Sequence, residues 1–266
     1  MQQARDFLTE CERLAQLLAP LSEADFARKT QFKSWTINQI VQHLFYFDRL
    51  AALSVTNPDT FDADYAMLNA LRDKGMDLPE ATDVVLAGLR GVDLRAAWAK
   101  GTVELATIFE QTDPRARVKW VGPGMSARSS ITARLMETWS HAQAIYDLLG
   151  QHRANTDALG NIVRLGVNTF GWTFANRGED VPDRMPRLHL TAPSGAVWTY
   201  GDEASGDLIK GLAEEFCMVV TQTRNIADTS LSVSGPVATR WMAVAQCFAG
   251  QPRTPPAPGS RFAVSA

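Results

Sequence analysis

The feature that most constrains this chain is a change of hydrophobic period. Through the first 150 residues apolar side chains return every three or four positions; beyond Arg187 they alternate. The first pattern is one face of an α-helix and the second is a half-buried β-strand. A helix with a single apolar stripe must pair with other helices, so the first part is expected to be a helical bundle and the later part a smaller α+β unit. With 266 residues, 45% of them hydrophobic, the chain is long enough for two separate cores.

In the bundle part, Phe7, Cys11, Leu14 and Leu18 form a first stripe that stops at Pro20. Thr36 with Gln39 is a capping-box pattern, and Ile37, Ile40, Val41, Leu44, Phe47 and Ala51 continue one apolar face, which predicts a helix over about Ile37 to Val55. Shorter helices are expected from Phe61 to Lys74 and from Pro79 to Leu89, and a longer one from Leu94 to Glu110. After the breaker Val121-Gly122-Pro123-Gly124, a helix from about Ser129 to Leu149 carries Ile131, Leu135, Ala142 and Ile145 inward and ends at Gly150.

One more helix is expected over Thr156 to Ala175, stopped by Gly178. Arg187 to Ala192 and Ala196 to Tyr200 flank Pro193-Ser194-Gly195 as a hairpin. A helix from Asp207 to Arg224, a strand near Ser230 to Val233 and a helix from Pro236 to Phe248 complete the α+β unit. The expected organisation is 1–150 bundle, 151–250 α+β domain and 251–266 proline-rich tail, extended or mobile.

A formal charge of −3 offers no basic excess for a phosphate backbone or an anionic membrane, so neither nucleic acid nor membrane is the expected partner. Cys11, Cys217 and Cys247 are odd in number and sit in apolar stretches, as reduced core thiols do, and the N-terminus lacks a signal-peptide pattern. A soluble, cytoplasmic protein is expected. The chain carries no Gly-x-Gly-x-x-Gly, P-loop, Gly-x-Ser-x-Gly or Cys-x-x-Cys motif, which removes the usual nucleotide, serine-hydrolase and dithiol chemistries.

Of four histidines, His43 lies among Ile40, Leu44 and Phe47 on the inward side of its helix; alone, such a residue is more often a hydrogen-bonded core histidine. Glu137 and His141 stand four apart, on one helix face one turn from each other, a spacing that serves either an ion pair or two ligands of one metal. Together the three form a two-His-one-carboxylate set, which leaves coordination positions open for water or substrate. Zinc is the default ion; nickel, iron or manganese would accept the same donors. His152 reads as exposed, His189 as a strand residue, and Trp35, Trp98, Trp139, Trp172, Trp198 and Trp241 as mostly core, with Trp139 pointing away from the ligands.

The run Ser34-Trp35-Thr36-Ile37-Asn38-Gln39-Ile40-Val41-Gln42-His43-Leu44, with Glu137-Thr138-Trp139-Ser140-His141-Ala142, resembles the DinB-like superfamily and its mycothiol-dependent maleylpyruvate isomerase branch. That resemblance implies a mainly α protein: a DinB-like four-helix bundle with a smaller C-terminal α+β domain of sterol-carrier type. It implies that the metal is held by the His of the Trp-led helix and the Glu and His of the Glu-x-x-x-His helix, which fall on His43, Glu137 and His141. An arginine after the long helix of the C-terminal domain approaches the site in that branch, and Arg224 occupies the comparable place. Its guanidinium suits a carboxylate of substrate or thiol, although a cation in a last helical turn also serves the helix dipole.

Three functions fit these features. The first is a thiol-assisted S-transferase or isomerase acting on a small organic acid or electrophile, with a low-molecular-weight thiol such as mycothiol as co-reactant. A metal-dependent hydrolase uses the same donors to activate water. A metal-binding or ligand-binding module without turnover needs only the fold, and the apolar faces leave a homodimer open.

Overall fold

The computed structural model describes residues 1–262 and divides them into two compact units, Met1–Leu149 and one that begins at Gly150. The first contains α1 (Gln2–Leu18), α2 (Glu23–Phe26), α3 (Ile37–Thr56), α4 (Pro58–Asp73), α5 (Leu78–Val85), α6 (Gly91–Gln111), the short antiparallel pair β1 (Arg117–Val118) and β2 (Met125–Ser126), and α7 (Ala127–Leu149). Helix α1 packs on α6 and α7, and α3 packs on the same two from the other side. Phe7, Leu14, Ile40, Leu44, Trp98, Leu105, Ile131 and Ile145 meet in the core between them.

Local chemistry explains the ends of α3. Thr36 Oγ1 accepts the Gln39 N–H at 3.2 Å while Gln39 Oε1 accepts the Thr36 N–H at 2.9 Å, so two N–H groups that the first turn cannot satisfy are bonded reciprocally. At the other end Asn57 accepts the Thr60 N–H, and Pro58 opens α4, where its missing N–H costs nothing. Helix α7 stops at Gly150, whose φ of 63° is the left-handed value a helix-ending glycine adopts.

A buried charge pair ties α3 to α7. Arg134 Nε donates to Asp48 Oδ1 at 2.8 Å, and Trp98 Nε1, from α6, donates to the other oxygen at 3.1 Å. Burial raises the Asp48 pKa above its ordinary value, and the Arg134 and Trp98 donors oppose that rise. Neither charge has a route to water, so each depends on the other.

The second unit contains α8 (Leu159–Asn168), α9 (Phe170–Ala175), β3 (Arg187–Thr191), β4 (Val197–Tyr200), β5 (Leu208–Leu212), α10 (Ala213–Val220), β6 (Ser232–Ser234) and α11 (Pro236–Val244). The sheet order is β4-β3-β5-β6, with β3 and β5 parallel and the outer pairs antiparallel. Leu188, Leu190 and Ile209 turn inward beneath α10, while His189, Thr191 and Lys210 alternate outward.

Two expectations change here. The helix expected from Asp207 to Arg224 is only Ala213–Val220; Leu208–Leu212 is instead the central strand β5. Its backbone groups are satisfied on both sides by β3 and β6, a non-local pairing that outweighs the local helical spacing. The single helix expected over Thr156 to Ala175 breaks at Thr169, whose hydroxyl donates to the Leu165 and Gly166 carbonyls. The proline-rich tail is extended but fastened: Asn225 Nδ2 donates to the Pro256 carbonyl and the Arg253 N–H to Gln246 Oε1, both at 2.8 Å. Residues 263–266 of that tail lie outside the described residues.

Replacing Arg134 with Met strands the Asp48 charge and is expected to destabilise the protein by about 3–5 kcal/mol. Adding Asp48→Leu removes the stranded charge and should recover much of that loss. Chemical denaturation of the single and double variants checks both statements.

Candidate metal centre

His43 projects from α3, and Glu137 and His141 project one turn apart from α7, so the capped start of α3 and the Asp48–Arg134 tie both act on the relation between them. Glu137 Oε2 lies 3.3 Å from His43 Nε2 and 3.3 Å from His141 Nε2. One donor atom from each of the three lies within 4.8 Å of the others, and the imidazole centroids are 4.6 Å apart. Side-chain exposures of 12%, 20% and 10% for His43, Glu137 and His141 leave the cluster sheltered but not sealed.

Burial lowers the His43 pKa from 6.5 to about 4, against the opposing pull of Glu137, so the ring is neutral at physiological pH. Burial pushes the Glu137 carboxyl upward, but hydrogen bonds and charge from His141 and His43 outweigh it and hold the pKa well below the ordinary value. An ionised carboxylate is thus enclosed with the Nε2 atoms of two imidazoles as its neighbours at 3.3 Å. A divalent cation fits this donor set: the carboxylate supplies charge, and imidazole nitrogens supply lone pairs of the kind zinc, nickel, iron and manganese accept.

The rings are oriented by packing. Nδ1 of His43 and Nδ1 of His141 are buried and have no hydrogen-bond partner among the described residues, whereas a metal-binding histidine ordinarily has its second nitrogen held by an acceptor. Aromatic contacts take that place. Trp35 stacks flat on His141, with centroids 5.9 Å apart and planes 2° from parallel, and meets His43 edge-on at 5.6 Å. Phe32 meets His141 edge-on at 4.8 Å, and Phe47 lies 4.8 Å from His43.

Trp35 is therefore a wall of this centre, half-buried, rather than a core residue. Its place one residue before the Thr36 cap of the ligand-bearing helix was the available signal. Phe32 had none, because its contact depends on how the preceding loop closes. Trp98, Trp139 and Trp241 are core as expected. His152 and His189 are exposed residues of the second unit.

Arg224 belongs to the second unit. It lies beyond the end of α10 at Val220, so the expectation that it occupies a last helical turn does not hold. The guanidinium is buried; Nη1 donates to the carbonyls of Thr223 at 2.9 Å and Arg261 at 3.3 Å, and the group lies 4.7 Å from the Phe262 ring centroid.

The fold has known counterparts. Two crystal structures of the mycothiol-dependent maleylpyruvate isomerase, one of them a point mutant, superpose with a TM-score of 0.51 at 15% identity, over 82% of this chain and 87% of theirs. At that identity the likeness defines the fold class: a mainly helical protein with a small sheet region. Uncharacterized proteins from two strains of Mycobacterium tuberculosis are 34% identical over 247 residues, which is 93% of this chain and 95% of each relative. The sequence profile of the mycothiol maleylpyruvate isomerase N-terminal domain matches residues 7–146, and the chain belongs to that family. No helix among the described residues is long and apolar enough to cross a membrane.

Because His43 titrates at about 4 in the folded protein and near 6.5 when unfolded, the unfolded chain takes up its proton first as pH falls. From this group alone metal-free protein should lose up to about 3 kcal/mol of stability between those values, and below them the depressed Glu137 carboxyl adds a further loss as it protonates. His43→Phe should flatten this dependence. Denaturation midpoints of wild type and variant across the acid range measure it.

Proposed function

We propose that this protein is a metal-dependent, thiol-assisted enzyme, an S-transferase or isomerase acting on a small organic acid or electrophile. The observation that carries the reading is the convergence of His43, Glu137 and His141 on one point in a bundle of the maleylpyruvate isomerase family. Zinc is the proposed ion, and a low-molecular-weight thiol of the mycothiol kind the proposed co-reactant; the solved neighbours are described as mycothiol-dependent. A divalent cation with open coordination positions lowers the pKa of a thiol that reaches it, so that thiolate is present at neutral pH.

The chain's own residues support this division of labour. His43 is neutral and Glu137 ionised, the protonation states in which both can act as ligands. Trp35, Phe32 and Phe47 pack around the imidazoles and limit the water that reaches them. The protein's sulfur is poorly suited to the reaction: Cys11 and Cys217 are buried, and burial pushes both thiols well above their ordinary range. The reactive sulfur therefore comes from a small molecule. Arg224 is proposed to pair with a carboxylate of substrate or thiol, a role that a planar guanidinium suits. Free cysteines fit a reducing, cytoplasmic setting.

Elemental analysis of tag-free protein should find about one divalent ion per chain. His141→Ala should weaken that binding by more than the ~10–100-fold that loss of an outer hydrogen-bond partner costs. Calorimetric titration of mycothiol into metal-loaded protein should show binding that the variant lacks. Metal without thiol binding would turn the reading toward hydrolysis or a non-catalytic role, and absence of metal would remove the centre.

A further inference from the structure

Trp35 joins the two ligand-bearing helices at the candidate centre. Its indole lies parallel to the His141 imidazole of α7 and edge-on to the His43 imidazole of α3, and its backbone leads directly into the Thr36 cap from which α3 starts. Phe32 braces the indole edge-on, with ring centroids 5.2 Å apart. The backbone beneath is held as firmly. Lys33 and Ser34 have φ of 50° and 57°, left-handed values that such residues keep only where the surroundings enforce them. The Trp35 N–H donates to the Phe32 carbonyl at 2.9 Å, and the Trp35 carbonyl accepts the Thr30 N–H at 2.8 Å and the Thr30 hydroxyl at 2.9 Å.

The two imidazole planes are tilted 59° from each other, and each Nε2 lies 3.3 Å from the same Glu137 oxygen. Those separations distinguish coordination geometries. With metal–ligand distances of about 2.0 Å, the donors of a tetrahedral ion stand about 3.3 Å apart, whereas donors at right angles, as octahedral and square-planar ions require, stand about 2.8 Å apart. The centre is spaced for the first. Loosely held histidines would close the remaining half an ångström or so toward the second. Rings packed against Trp35 close it only by moving the indole, and the indole moves only with its turn. Intrinsic affinity does not exclude nickel from a set of imidazole and carboxylate donors, so discrimination has to come from this geometry.

We propose that Trp35 is a positioning residue that sets the metal selectivity of the His43–Glu137–His141 centre. By holding both imidazoles at tetrahedral spacing it favours zinc over nickel(II), which requires right-angle coordination. The proposal rests on the metal-dependent reading above and adds to it the residue that decides which ion is kept. Trp35 acts through the two histidines and touches no ion itself.

The test titrates full-length wild type, Trp35→Leu and Trp35→Phe with zinc and with nickel(II) against a chromophoric chelator. Visible absorption of the cobalt(II) forms is recorded beside it, since four-coordinate cobalt absorbs intensely and six-coordinate cobalt weakly. Wild type should hold zinc more tightly than nickel and give the intense spectrum. Trp35→Leu should weaken zinc about tenfold, the lower end of what losing a ligand-orienting partner costs, leave nickel within about twofold and turn the cobalt spectrum weak. Trp35→Phe keeps an aromatic ring against the imidazoles and should recover most of the zinc-to-nickel ratio. Equal weakening of both ions, as a general loss of structure would give, or of neither, overturns the role of Trp35 and leaves the metal-dependent reading intact. A weak cobalt spectrum in wild type does the same. Wild type that binds none of the three ions overturns that reading and the proposal with it.

Discussion

The Asp48–Arg134 pair is the contact on which the arrangement of the bundle depends. It joins the two helices that carry the candidate ligands, and Trp98 brings α6 into the same hydrogen-bonded group. Two opposite charges removed from water are a poor source of net stability, because desolvation offsets most of their attraction. Their effect is on register. Sliding α3 along α7 by one turn would separate the charges in a low-dielectric interior, and would also move His43 away from Glu137 and His141.

With the register set, the centre combines polar donors with an apolar enclosure. Burial lowers the proton affinity of His43 while the imidazoles keep Glu137 ionised, so neutral and charged donors coexist within a few ångströms. A carboxylate enclosed in this way favours a cation, and both Nε2 atoms lie against the same Glu137 oxygen. Packing by Trp35, Phe32 and Phe47 supplies the orientation that hydrogen bonds to Nδ1 provide in other histidine sites. The left-handed Lys33–Ser34 turn is part of this enclosure, since it delivers both Phe32 and Trp35 to the same imidazole.

The second unit shows where local reasoning fails. The stretch Leu208–Leu212 has apolar residues spaced to continue into the following helix, yet it becomes β5 because β3 and β6 lie on either side to pair with it. The same competition ends α8 at Thr169 and draws the tail against Gln246 and Asn225. For β5 and the tail, groups remote in sequence satisfy what a continued helix or a free tail would have left to itself or to water, whereas at Thr169 the side chain bonds carbonyls of the preceding turn.

The sequence alone was enough for the long helices, the Thr36–Gln39 cap, the Gly150 stop and the placement of His43, Glu137 and His141 on inward faces, because periodicity and capping are local properties of a helix. It also contained the family resemblance that the profile match bears out. Tertiary structure alone decided that the three donors meet, that Trp35 and Phe32 wall them, that Arg134 is neutralised by Asp48, and that Leu208–Leu212 is a strand. These are relations between segments tens of residues apart, and their energy comes from burial and pairing that no single segment can provide.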